Sequence, residues 1–91
     1  MQFEWDEVKR LTVIEERGVD FVYAALIFES PVLTRVDERR DYGERRLISL
    51  GMVDDDCFVV VHTERDCVVR LITAWKGGRD ERAEYEARLA G

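Results

Sequence analysis

Hydrophobic residues change their period once along this chain, at its single proline, Pro31. Ahead of it the spacing is helical. Val8, Leu11 and Ile14 recur at three-residue steps, and Phe21, Ala24, Ala25 and Phe28 fall at i, i+3, i+4 and i+7, one face of a helix. Beyond Pro31, which cannot continue a helix, the period drops to about two, the signature of strands. Helices followed by a run of strands point to an α+β domain whose helices cover one face of a sheet.

Local signals set the boundaries. Residues 2–5 alternate polar and aromatic side chains and predict a short strand. Asp6 is placed to cap a helix over residues 7–17, and Gly18 to end it in the left-handed conformation. Asp20 caps a second, short helix that Pro31 stops. Extended segments are predicted at residues 32–37, 46–53, 57–64 and 68–75, with turns at residues 54–56 and 64–66, where Asp side chains bond their own backbone. The tight turns make the last three segments an antiparallel meander. Gly77-Gly78 ends the last strand, and residues 80–90 are helix-forming with a thin apolar face, Tyr85 and Leu89, which predicts loose docking. The predicted order is β-α-α-β-β-β-β-α: a small antiparallel sheet, two N-terminal helices on one face, a C-terminal helix, and the other sheet face left for water or a ligand. Residues 1–91 are enough for one core and too few for two.

Composition narrows the functions. Fourteen Lys and Arg against 20 Asp and Glu give a net charge of −6, so any nucleic-acid role needs a local basic patch. No apolar run approaches the roughly 20 residues that span a bilayer, and the acidic start (Glu4, Asp6, Glu7) lacks the zones of a signal peptide, so the expected location is the cytoplasm. The chain has no GxGxxG, Walker or GxSxG motif and no histidine pair, which removes nucleotide-dependent and zinc enzymes; no metal and no cofactor is expected. If the last two strands pair around residues 65–66, Cys57 falls opposite Ala74 and Cys67 opposite Glu64, too far apart for a disulfide; both are expected as buried free thiols. His62, the only histidine, shares its strand face with Phe58 and Val60 and reads as a packed, hydrogen-bonded core residue rather than an acid or base.

The cations are more informative. Arg35, Arg39, Arg40, Arg45 and Arg46 fall within residues 35–46, and Arg65, Arg70, Lys76, Arg79 and Arg82 surround the last hairpin and helix. Arginine forks pair with phosphates and steady charge that develops on phosphorus. Arg39 and Arg40 interleave with Asp37, Glu38, Asp41 and Glu44, the pattern of a solvated charge run. Arg70 alternates with Val68 and Ile72, so it must reach a partner, an edge or a ligand. Lys76-Gly77-Gly78 either points bare N–H groups at an anion or simply connects strand to helix. Tyr42 and Trp75 either stack on bases or pack.

Several separated motifs coincide with one family. Residues Phe3-Glu4-Trp5-Asp6-Glu7-Val8-Lys9, then Gly18-Val19-Asp20-Phe21, Ala24 and Phe28, resemble the opening of the BrnT family of toxins. Asp41-Tyr42-Gly43-Glu44-Arg45-Arg46, Gly51, Val60, Thr63-Glu64-Arg65, Arg70-Leu71-Ile72-Thr73-Ala74, and Glu81-Arg82 with Tyr85 continue it. The resemblance implies a RelE-like fold and a type II toxin: a ribonuclease that stops translation and is neutralised by a ribbon-helix-helix antitoxin, with DNA operator contact only through that antitoxin. The chain departs from the family pattern at Val13, at Glu16-Arg17, where a Lys-His pair is usual, and at Trp75, where the last strand usually carries an arginine.

For RNA cleavage through the ribose 2′-hydroxyl, the resemblance implies a metal-independent mechanism. Arg65 and Arg70 are then expected on the phosphate and its transition-state charge, Lys76 as a further cation, and Glu81 as an orienting or base group. Lys9, Arg45, Arg46, Arg79 and Arg82 are expected to bind RNA. Two other readings stand beside this one. A diverged, silent member would act as an antitoxin-binding co-repressor, and an unrelated α+β interaction domain would owe nothing to the family.

Overall fold

The computed structural model describes residues 1–90. Strand β1 (Gln2–Trp5) leads into α1 (Glu7–Arg17), whose first turn is capped by the Asp6 carboxylate accepting the Val8 and Lys9 amides. Gly18 closes that helix at φ 67°, with its N–H on the Ile14 carbonyl. Asp20 caps α2 (Phe21–Ala24) through the Val22 amide, and the chain tightens into a 3-10 turn (Ala25–Glu29) before Pro31. Then come β2 (Leu33–Val36), β3 (Leu47–Val53), β4 (Asp56–Arg65), β5 (Val68–Lys76) and α3 (Arg79–Ala90). The element order is the one the period predicts. No described helix is long and apolar enough to cross a membrane.

The five strands form one sheet in the order β1-β5-β4-β3-β2. The sheet is mixed, which corrects the expectation of an antiparallel one: β1 pairs parallel with β5, from Gln2 opposite Val68 to Trp5 opposite Leu71, and the other pairs are antiparallel. Alternation reports which side chains face the core and is blind to strand direction. Here the whole chain from α1 to β4 intervenes, and so long a crossover can bring two strands together running the same way.

Side-chain burial defines two layers. On one face, Val13, Val19, Phe21, Ala24, Ala25 and Ile27 of the helical segment pack on Val53, Phe58, Val60, Val69, Leu71 and Ala74 of the sheet. Gly51 lies directly under the 3-10 turn, where a Cβ would come within 2.7 Å of Ile27 Cβ. On the other face, Ile48, Leu50, Cys57, Val59 and Val61 form a second cluster, with Tyr85 of α3 packed against it and the Tyr85 hydroxyl donating to the Pro31 carbonyl. The thin contact fits the loose docking predicted for this helix.

Two finer expectations change. Spacing puts Val8 and Leu11 on the buried side of α1, yet they stand 74% and 56% exposed, and Val13 is the buried residue. The inward side is shared instead with Arg10, whose fork grips Asp20 (2.8 and 3.0 Å), and with Arg17, which reaches β5. The last hairpin also turns one residue later than expected, at Asp66-Cys67, both with positive φ. Ala74 therefore lies opposite Val60 rather than Cys57, whose carbonyl instead accepts the Gly77 amide beyond the end of β5, and Cys67 is exposed at the hairpin tip rather than buried; both are free thiols.

Candidate functional site

A bulge in β5 begins the site. Val61 pairs with Thr73 but His62 pairs with Leu71, so Ile72 is an extra residue, and Ile72 and Thr73 both line the same depression beside Val61. β1 covers β5 only as far as Leu71, so the edge beyond is open to side chains from α1. Arg17 uses that opening. Its Nη1 donates to Thr73 Oγ1 (3.0 Å) and to the Ala74 carbonyl (3.2 Å), and its guanidinium lies 5.7 Å from the Trp75 ring centre. Lys9, two turns earlier on α1, lines the same depression.

The connection between β2 and β3 supplies the opposite wall. Its neck is closed by the Asp37 amide donating to the Arg46 carbonyl (2.8 Å). The Asp37 side chain is buried and accepts Arg39 Nε and Nη2, each at 2.8 Å, as well as the Arg39 amide at 3.2 Å. The Arg39 fork holds the Asp37 carboxyl far below the usual carboxylate range, with smaller help from the Arg39 amide and the Tyr42 hydroxyl. So anchored, the Arg39 guanidinium sits 5.8 Å from the Trp75 ring. Tyr42 is flanked by Arg46 at 4.1 Å and Arg40 at 5.3 Å. The tip is shaped by Asp41, which accepts the Gly43 amide, and by Gly43 itself at φ 73°.

The result is a bowl of about 380 Å³ walled by Lys9, Arg17, Arg39, Arg40, Arg46 and Tyr42 over a floor of Val61, Ile72 and Thr73. Five cations and no carboxylate line it. In a chain of net charge −6 this is a strong local reversal, and a concave surface of one charge sign over a mostly apolar floor concentrates its field.

The residues singled out from sequence divide around this bowl. Lys9 and Arg46 line it. Arg45, Arg65 and Arg70 gather in a second depression of about 300 Å³, where Glu4, Glu44 and Glu64 offset them and Arg70 faces Glu4 at 3.7 Å. Arg70 thus satisfies its charge at a half-exposed edge. Lys76 lies at the far end of β5, roughly 25 Å along the strand from Val68 at about 3.3 Å per residue, and pairs with Asp56 at 3.2 Å. Glu81 accepts the Gly78 amide in the first turn of α3. Arg82 bonds the Asp55 carbonyl and faces Glu86, and Arg79 is exposed. Arg65 and Arg70 are therefore together, while Lys76 and Glu81, each with its own partner, lie at and beyond the other end of β5 from them.

The glycines after β5 have no spare donors for an anion, because the Gly77 amide goes to the Cys57 carbonyl and the Gly78 amide to Glu81. His62 is fully buried, bonded through Nε2 to Ser49 Oγ (2.7 Å), which meets Thr34 Oγ1 (2.7 Å); burial lowers its pKa and keeps it neutral. It belongs to the core. Sequence reasoning missed the convergence of Arg17, Arg39, Arg40, Tyr42 and Trp75. The one available signal was an aromatic residue set inside each arginine-bearing segment.

A cationic bowl with an apolar floor and an aromatic wall suits a ligand that joins phosphate to a flat ring system. A family model described as ribonuclease toxin, BrnT, of type II toxin-antitoxin system matches residues 5–81, which include every residue of the bowl. No curated protein matches the chain.

Proposed function

This chain belongs to the BrnT family of type II toxin–antitoxin ribonuclease toxins, and from that premise we propose that it cleaves RNA at the cation-lined bowl, without a metal, and so stops translation. The observation that carries the reading is the convergence of Lys9, Arg17, Arg39, Arg40 and Arg46 on one apolar floor in an otherwise acidic molecule. The ribose 2′-oxygen attacks the adjacent phosphorus while the bond to the 5′-oxygen breaks, leaving a cyclic phosphate and a 5′-hydroxyl. One proton leaves the attacking hydroxyl and one reaches the departing oxygen. The guanidiniums oppose the negative charge that builds on the phosphoryl oxygens between these events. Arg45, Arg65 and Arg70 extend the phosphate track beyond the bowl. Lys76, Arg79, Glu81 and Arg82 take no chemical step in this reading.

We read the fold as RelE-like and the protein as cytoplasmic. Its partner is a ribbon-helix-helix antitoxin whose acidic segment covers the bowl, and operator DNA is reached only through that partner. One observation favours a second reading: among the described residues no imidazole or carboxylate lines the bowl to move the protons. A silent member that binds antitoxin and acts as a co-repressor would need none.

Expression of the chain alone in bacteria, with total RNA sampled after induction, separates the two. Growth arrest with fragmented RNA is expected. Purified protein should cleave RNA in the presence of EDTA, and Arg17→Ala and Arg40→Ala should each slow cleavage roughly 100-fold, by analogy with losing one oxyanion donor. Intact RNA and normal growth, with folded protein present, would decide for the co-repressor.

A further inference from the structure

The bowl is built for more than phosphate. Its floor of Val61, Ile72 and Thr73 is mostly apolar, and its aromatic wall, Tyr42, is only half buried. In a paired A-form helix the base faces are stacked inside and the outside offers only phosphates, 2′-hydroxyls and groove edges. An apolar floor and a ring have nothing to meet there. An unpaired nucleotide brings both parts, a flat base and a phosphate.

The flanking arginines of Tyr42 differ in how firmly they are held. Arg46 lies 4.1 Å from the ring centre and is tied to Glu44 at 3.1 Å, so it is held against the ring. Arg40 lies farther off, at 5.3 Å, and has no carboxylate partner among the described residues. A guanidinium plane stacked on an aromatic ring occupies the place a base takes, and the less tightly held one is the one to give way. We propose that Tyr42 is a base-stacking platform: the bowl selects single-stranded RNA, one unpaired base displacing Arg40 from the ring, and Arg40 moves to that nucleotide's phosphate. This rests on the RNA reading above and adds to it the strandedness of the substrate and a residue that sets it.

The test is binding of the full chain to a fluorescently labelled 2′-O-methyl RNA, which lacks the nucleophile, followed by anisotropy as a single strand and again annealed to its complement. The single strand should bind about 10-fold more tightly or better. Tyr42→Leu should lose about 10-fold for the single strand and clearly less for the duplex, so that the preference shrinks, while Tyr42→Phe, which keeps the ring, should retain the preference. Arg17→Ala should weaken both forms. Equal affinity for the two forms, or a Tyr42→Leu variant that binds the single strand as well as the parent, overturns the platform and leaves the RNA reading standing if Arg17→Ala still weakens binding. Failure of the parent chain to bind either form overturns both.

Discussion

Asp37 shows how a site can hang on one residue outside its lining. Its side chain is fully enclosed, its carboxylate takes both prongs of Arg39, and its amide closes the neck of the loop that carries Arg40, Tyr42 and Arg46. Because the folded-state pKa is depressed, its contribution to stability is present above the unfolded value near 3.9 and is lost as pH falls below it. Asp37→Asn should therefore melt lower than the parent at neutral pH, with the difference shrinking below about pH 4, as followed by thermal denaturation. A gap of constant size down to acid pH would mean that the charge is not what anchors the loop. His62 acts in a higher window. Its folded pKa lies below the ordinary value near 6.5, so the unfolded chain binds more protons there, and stability falls as pH drops below about 6.5. A His62→Gln variant should lose that part of the acid sensitivity in the same melts. In sequence, Asp37 and Arg39 look like two members of a solvated charge run. Only the burial of one of them, which no local pattern reports, turns the pair into an anchor.

Elements were legible to the extent that their cause was local. Asp6, Asp20 and Gly18 mark helix ends because a cap is a contact with the next few residues, and Pro31 marks the change of period for the same reason. What escaped depends on distant partners: the parallel direction of β1, the extra residue at Ile72, and the face of α1 that Arg10 and Arg17 turn inward. The bowl needs the last two, so a strand that reads as regular hides the site. Gly51 is the sharpest case of an element fixed by its neighbour. A methyl group there would meet Ile27 Cβ at 2.7 Å, an atom that shortening Ile27 to Val or Ala does not remove. Gly51→Ala should cost about 1–3 kcal/mol by overpacking, measured by denaturant titration, and Ile27→Val should not rescue it. The α3 helix stands at the other extreme. Tyr85→Phe removes its bond to the Pro31 carbonyl and should cost only about 0.5–1.5 kcal/mol.

At the scale of the whole molecule, charge is divided rather than balanced. The chain carries −6 overall, yet Lys9, Arg17, Arg39, Arg40 and Arg46 meet with no carboxylate among them on the bowl's lining. On the proposed RNA reading, a mostly negative surface disfavours nucleic acid elsewhere and leaves binding to this concave face and the neighbouring Arg45, Arg65 and Arg70. The salt dependence follows from how many of those cations are available. Arg39 and Arg46 already have Asp37 and Glu44, which leaves Lys9, Arg17 and Arg40 to displace counterions from phosphates, and all five only where both pairs open. With a slope of about −0.7 per phosphate on a single strand, log affinity against log salt should fall with a slope between about −2 and −4. Anisotropy titrations of a labelled strand over a range of sodium chloride measure it directly, and Arg40→Ala should flatten the slope by about 0.7. A slope near zero would mean that the bowl holds its ligand by stacking and packing alone, and the acidic bulk of the molecule would then have no part in directing RNA to it.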